Sequence, residues 1–173
     1  MKTLKQQPQD KAFTLEAGFT LIELLIVMSI MLILITLAVP QYKKVRKQVN
    51  ETSAVTSLKA IATAQKQYNS SYSDIGYACT LPALGGDPNA GAPSATAAQM
   101  LDPKLAATSA KDGYQFSITC KQSTVGTTQQ ATGYLVNATP TSVGSTGDRG
   151  FCMDDNDLIK FDPAGGTNCT QSQ

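Results

Sequence analysis

The chain has 173 residues, with 14 Lys and Arg against 13 Asp and Glu and a formal net charge of +1. A charge balance this close to neutral does not indicate a polyanion as the main partner. The length allows one compact domain besides targeting or anchoring segments. The sequence has no histidine, no glycine-rich phosphate loop and no nucleophile beside a base, so we expect neither an enzyme nor a bound cofactor.

A polar leader precedes a long apolar run. Residues 1–18 contain three lysines and two acids, and the 21 residues from 19 to 39 are almost entirely apolar. At about 1.5 Å per residue the run reaches about 31 Å, which matches a bilayer core of about 30 Å. An ordinary secretory signal is cleaved after its apolar region. Here the small pair Ala17-Gly18 precedes it, so cleavage there would leave a transmembrane helix on the mature chain.

One carboxylate, Glu23, lies inside the apolar run. An ionised side chain in hydrocarbon is expensive and usually marks function. The alternative is a residue at the membrane border that reaches the headgroups.

The stretch AGFTLIELLIV at 17–27, followed by AVPQY at 38–42, resembles the amino terminus of bacterial type IV prepilins, with their class III signal peptide, and of the related pseudopilins. The resemblance implies that a prepilin peptidase cuts after Gly18 and that the new Phe19 amine is methylated. It also implies that Glu23 neutralises the amine of a neighbouring subunit during assembly. An ammonium partner offsets much of the desolvation cost of a carboxylate, and pairing within one chain is also possible because Phe19 and Glu23 are one helical turn apart.

A helical pattern continues beyond the apolar run. Pro40 predicts a bend, and apolar residues then recur at steps of three and four up to residue 72. We therefore expect one long bent helix, with residues 19–42 as its transmembrane and assembly half. Residues 43–72 form an amphipathic half that packs against the head.

A basic run follows the apolar segment, at Lys43, Lys44, Arg46 and Lys47. At a membrane exit such residues commonly lie at headgroups or on a solvated helix face, and Lys47 can pair with Glu51 four residues later. A contact between subunits is also consistent with the pattern. Without an aromatic constellation the run offers nucleic acid only a sequence-independent attraction, so we do not expect a nucleic-acid partner.

The globular head is expected at 73–173. Its first part, residues 73–112, is a loop region with a short helix at 95–101 and a turn at 101–103. Its second part, residues 113–173, holds a sheet and a tail bounded by a disulfide. Alternating residues at 114–120 and 134–139 predict two strands. Residues 151–153 and 158–161 are expected to form a final hairpin that turns near Asp155-Asn156. The predicted class is α+β, a pilin fold in which the long helix packs against about four antiparallel strands.

Four cysteines follow the apolar run, at positions 79, 120, 152 and 169. An even number in a small domain favours disulfides in an oxidising compartment, which places the head outside the cytoplasm. Three pairings are open from sequence alone. We favour Cys152 with Cys169, which resembles the disulfide-bounded C-terminal region of many pilins, and Cys79 with Cys120.

Clustered acids near the carboxyl terminus, Asp154, Asp155, Asp157 and Asp162, raise the question of calcium. Some major pseudopilins, which the chain resembles, bind calcium in their C-terminal loops. The spacing does not match an EF-hand, and a turn of solvated acids is the default. We expect no resident metal and keep Asp154, Asp155 and Asp157 as weak candidates.

Together these features predict a structural subunit of a type IV pilus, a fimbrial filament built from copies of this chain. The precursor would sit in the inner membrane, with its amino terminus cytoplasmic and its head periplasmic, before assembly into an extracellular pilus. Prepilin peptidase and an inner-membrane assembly platform are the implied partners. One alternative is a major pseudopilin of a type II secretion system, and another is a minor pilin acting as an adhesin or DNA receptor. Roles in cell adhesion and twitching motility stay open.

Overall fold

The computed structural model describes residues 18–89, 91–125 and 128–172, so the predicted leader lies almost wholly outside the described part. The chain divides into two compact units, Met1–Pro40 and Gln41–Gln173. The described helices and strands are α1 (Leu21–Ser71), α2 (Leu81–Leu84), α3 (Pro103–Thr108), β1 (Ala110–Lys111), β2 (Tyr114–Val125), β3 (Thr128–Pro140), β4 (Gly150–Asp154), β5 (Ile159–Asp162) and β6 (Gln171–Ser172).

The long helix predicted from residue 19 to residue 72 is confirmed as α1, whose 51 residues run through Pro40. Its end is closed by backbone bonds. The Tyr72 N–H donates to the Tyr68 carbonyl at 2.8 Å, and the Gly76 N–H donates to the Tyr72 carbonyl at 3.1 Å. Gly76 has φ +85°, where an added β-carbon would also lie 2.1 Å from the Ala131 carbonyl oxygen, so glycine is required there. The bend at Pro40 stays a prediction.

The strands form one antiparallel sheet in chain order, β1-β2-β3-β4-β5-β6. Its centre is the long β2–β3 hairpin, in which Tyr114 lies opposite Pro140 and Cys120 opposite Tyr134. The two strands predicted from alternation are present as β2 and β3, and the predicted final hairpin is present as β4 and β5. The two additional strands have two residues each, too short to give an alternation pattern. The α+β class is confirmed, with six strands instead of about four.

The core lies within the second unit, between one stripe of α1 and one face of the sheet. Leu58, Ile61 and Tyr68 from the helix are buried together with Tyr114 and Tyr134 from the strands. Their spacing in α1 follows the helical repeat, which turns one apolar stripe toward the sheet. Each fully buried side chain of this size contributes about 1.5–3 kcal/mol. This stripe and the alternating strand residues hold the head on the helix.

The short helix predicted at 95–101 is wrong. The backbone N–H groups of that segment bond to carbonyls at the end of α2 instead: Ala98 donates to Ala83 at 2.9 Å and Met100 to Leu84 at 2.8 Å. These bonds between segments take the donors that a local helix would use. The helix forms later, as α3, where Asp102 caps the first turn by accepting from the Leu105 N–H at 2.8 Å.

Candidate functional site

The first helix begins with a reciprocal hydrogen-bonded cap. Glu23 Oε2 accepts hydrogen bonds from the Thr20 backbone N–H at 2.9 Å and from Thr20 Oγ1 at 2.7 Å. The Glu23 backbone N–H in turn donates to Thr20 Oγ1 at 3.3 Å. This is a capping box of the pattern Thr-x-x-Glu, which satisfies N–H groups that the first turn cannot bond internally. The Glu23 carboxylate is therefore held against the start of the helix by its own chain.

Gly18 and Phe19, the residues on either side of the predicted cleavage point, precede the helix and are exposed. The exposed fraction of Phe19 is 84%, and a β-carbon built on Gly18 would meet no atom within 4 Å. In the uncut chain the Phe19 nitrogen is an amide, so the ammonium predicted to pair with Glu23 exists only after cleavage. Cleavage, methylation and pairing stay predictions.

The helix from Leu21 to Val39 presents an apolar surface with no partner in the described chain. Its described large apolar side chains are roughly half or more exposed, from 47% at Val39 to 80% at Leu21. The hydroxyl groups of Ser29 and Thr36 donate to backbone carbonyls within the helix, at 2.8 and 2.7 Å. Both hydroxyl groups are therefore hydrogen-bonded without water, as a lipid or protein environment requires. So large an exposed apolar surface marks an interaction surface.

The fit of the described helices to a membrane span is partial. Judged by length and composition, no single described helix qualifies as a span, whereas the segments Leu21–Thr36 and Gln41–Ser71 qualify when taken as a broken pair.

Within the second unit, an ion pair fastens the head to the helix. Arg149 donates from Nε and Nη2 to Glu51 Oε2 at 2.9 and 2.7 Å, while the backbone N–H groups of Asp148 and Arg149 donate to Oε1 at 3.0 and 3.3 Å. The guanidinium also lies 5.4 Å from the Phe151 ring centroid and 5.3 Å from that of Phe161, within cation–π range. The Glu51 side chain is only 9% exposed. No local pattern in the sequence predicts this contact.

Lys47 pairs with a different residue from the one predicted. It donates to both carboxylate oxygens of Asp148, at 2.7 and 2.9 Å, and Glu51 binds Arg149 instead. The predicted Lys47–Glu51 pair is therefore wrong. An arginine can bond a carboxylate through two N–H groups at once, and a solvated i,i+4 pair is weak by comparison.

The four cysteines form two disulfides. Cys79 is bonded to Cys120 and Cys152 to Cys169, the pairing favoured from the sequence. The first joins the loop after α1 to β2, and the second joins the tail to β4. In the chain-entropy model, closing loops of these lengths, with sequence separations of 41 and 17 residues, stabilises the fold by about 3–4 kcal/mol each.

The acidic turn between β4 and β5 is occupied by contacts within the chain. Asp154 accepts from the Asn156 N–H at 3.0 Å, Asp155 pairs with Lys121 at 3.4 Å, and Asp157 pairs with Lys66. The three carboxylates predicted as weak calcium candidates therefore each bind a different partner within the chain. In the described ranges, no three His, Cys, Asp or Glu side chains lie close enough to hold a metal ion.

Two fully buried tyrosines differ in the partners of their hydroxyl groups. Burial raises the pKa of both, more than any neighbouring charge does. Tyr114 donates to the Arg149 carbonyl at 2.8 Å, whereas the buried Tyr134 hydroxyl has no hydrogen-bond partner among the described residues.

These tyrosines give a matched stability test. We expect Tyr114→Phe to lower the free energy of unfolding by about 1 kcal/mol, because the Arg149 carbonyl loses its donor. Tyr134→Phe should leave it unchanged or raise it, because a buried hydroxyl without a partner is removed. Urea unfolding of the full chain in mild detergent, followed by near-UV circular dichroism, measures both. A larger loss in Tyr134→Phe than in Tyr114→Phe would contradict this account.

The described elements form a pilin-like fold, an α+β head on a long amino-terminal helix with an apolar first half. Residues 13–39 match the family model of the prokaryotic N-terminal methylation motif. The chain is similar to the type IV major pilin protein PilA of Myxococcus xanthus (strain DK1622), with 46% identity over 61 residues. That alignment covers 34% of this chain and 28% of PilA, so the chain matches less than a third of the length of this curated relative.

No solved structure is significantly similar to the chain. The family model and the similarity to PilA confirm the resemblance to type IV pilins that the sequence predicts.

Proposed function

We propose that the chain is a structural subunit of a type IV pilus, made as a membrane-anchored precursor and polymerised through its apolar amino-terminal helix. The observation that carries the proposal is the exposed apolar surface of α1, whose only ionisable side chain between Phe19 and Tyr42 is Glu23. Lipid covers such a surface before assembly, and the helices of other copies cover it afterwards. The similarity to PilA and the methylation motif support this role.

Processing fits the same proposal. Prepilin peptidase would cut after Gly18 and the Phe19 amine would be methylated, after which an inner-membrane assembly platform would add the subunit to the extracellular filament. Removal of residues 1–18 takes away three lysines and two acids and leaves eleven of each sign. A mature chain with no net charge packs side by side with little self-repulsion. The role is structural rather than catalytic.

The test is the composition of sheared surface fibres from cells that express the chain. We expect mass spectrometry to find this chain as the dominant protein, beginning at methylated Phe19 and carrying two disulfides. Absence from the fibres, together with a secretion defect on deletion, would overturn the pilus assignment in favour of a type II pseudopilin. Presence only in trace amounts would indicate a minor pilin, for which mobility shifts with DNA and adhesion assays are the next measurements.

A further inference from the structure

The start of the second unit is a helical stretch, residues 42–49, that exposes both apolar and basic side chains. Tyr42, Val45 and Val49 are exposed by 66, 53 and 60%. The cations Lys43, Lys44 and Arg46 are exposed as well. At about 100° per residue, the three apolar side chains lie within about 60° of one another, Arg46 borders them at about 40° from Tyr42, and Lys43 and Lys44 lie farther round the helix. Such an arrangement is typical of a helix at a membrane interface.

The three exposed cations have no counter-ion in the described chain. Its four ion pairs include Lys47 but none of Lys43, Lys44 and Arg46. The sequence has no acidic residue between Glu23 and Glu51. Glu51 is bound by Arg149, and Asp148 by Lys47. The positive charge of these side chains is therefore available to an external anion.

The position along the chain suggests which anion. The cations follow the last large apolar residue of the run, Val39, by only four to seven residues in the sequence. Basic side chains just beyond a membrane span commonly reach the headgroups. Tyr42, at the boundary, is of the residue type enriched at membrane interfaces.

We propose that residues 42–49 form an interfacial segment that binds anionic phospholipid headgroups. Lys43, Lys44 and Arg46 contact the headgroup phosphates, and Tyr42 lies at the acyl boundary. The inference rests on the membrane anchoring of the precursor in the proposed function. Each cation near an anionic surface strengthens binding roughly fivefold, so the three together give roughly hundredfold selectivity for anionic over zwitterionic lipid.

The test is lipid retention by the full chain in mild detergent, measured by native mass spectrometry. Phosphatidylglycerol and phosphatidylcholine with identical acyl chains are the probes. We expect the wild-type chain to retain phosphatidylglycerol selectively, with less selectivity at high salt. The variant Lys43→Gln/Lys44→Gln/Arg46→Gln should lose the selectivity. The control Lys59→Gln/Lys104→Gln/Lys111→Gln, which removes the same charge from exposed positions farther along the chain, should keep it.

Equal retention of both lipids by the wild-type chain would overturn the proposal, as would an equal loss in the control. A third outcome assigns the cations to a neighbouring copy: the Lys43/Lys44/Arg46 variant keeps its lipid selectivity but forms no sheared fibres. That result would overturn lipid binding while leaving the pilus role intact. Lipid selectivity in a wild-type chain that forms no fibres would support the lipid site and contradict the pilus role, so the two failures are distinguishable.

Discussion

Glu51→Ala should lower the free energy of unfolding of the head by about 3 kcal/mol. Glu51 accepts two hydrogen bonds from the Arg149 guanidinium and two from backbone N–H groups of the β3–β4 loop. Its removal leaves both backbone donors and a partly buried cation without their acceptor. The guanidinium is 40% exposed and recovers some hydration, so the expected loss lies at the low end for a broken buried pair.

Thermal unfolding of the full chain in mild detergent measures this effect. At roughly 3–4 °C per kcal/mol for a domain of this size, Tm should fall by about 10 °C. Glu51→Gln keeps one acceptor oxygen and should lose less. Lys47→Ala removes the neighbouring, more exposed pair with Asp148 and should cost at most about 1 kcal/mol. If Lys47→Ala destabilises as much as Glu51→Ala, the Glu51–Arg149 pair does not fasten the head as argued.

The elements that the sequence predicts are those with a repeating pattern. The stripe around Leu58 and Ile61 repeats at helical spacing, and the alternation from Tyr114 marks a half-buried strand. The prediction at 95–101 failed because its local composition did not reveal that its backbone donors bond to the end of α2. Local composition therefore does not predict the structure of a segment whose backbone pairs with another segment.

The contacts that join distant segments were not predictable in the same way. Glu51 and Arg149 are 98 residues apart, and no local pattern relates them. The Thr20 cap is different, because Thr-x-x-Glu before an apolar run is a readable signature of a helix start. The roles predicted for Glu23, an amine partner or a residue at the membrane border, do not include this cap. The cap is thus a local role for the carboxylate that is predicted to pair with the amine, and an experiment has to separate the two.

Glu23→Ala is expected to reduce fibre assembly roughly 100-fold or more while the precursor is still inserted and cut. The Phe19 ammonium of the mature chain would then enter an apolar helix bundle without a partner, and a buried charge without its partner is strongly unfavourable. Because Glu23 also closes the capping box with Thr20, loss of assembly in this variant alone does not distinguish charge pairing from helix capping.

Two matched variants separate these roles. Glu23→Gln keeps a side chain that serves in a capping box but carries no charge, so charge pairing predicts fibre loss close to that of Glu23→Ala. Thr20→Ala removes the cap, worth about 1 kcal/mol of helix stability, and keeps the charge, so fibres should be only modestly reduced. The measurement is pilin in sheared fractions relative to cleaved pilin in membranes. Normal fibres from Glu23→Gln with poor fibres from Thr20→Ala would show that the carboxylate acts through the cap, and the pairing role would be wrong.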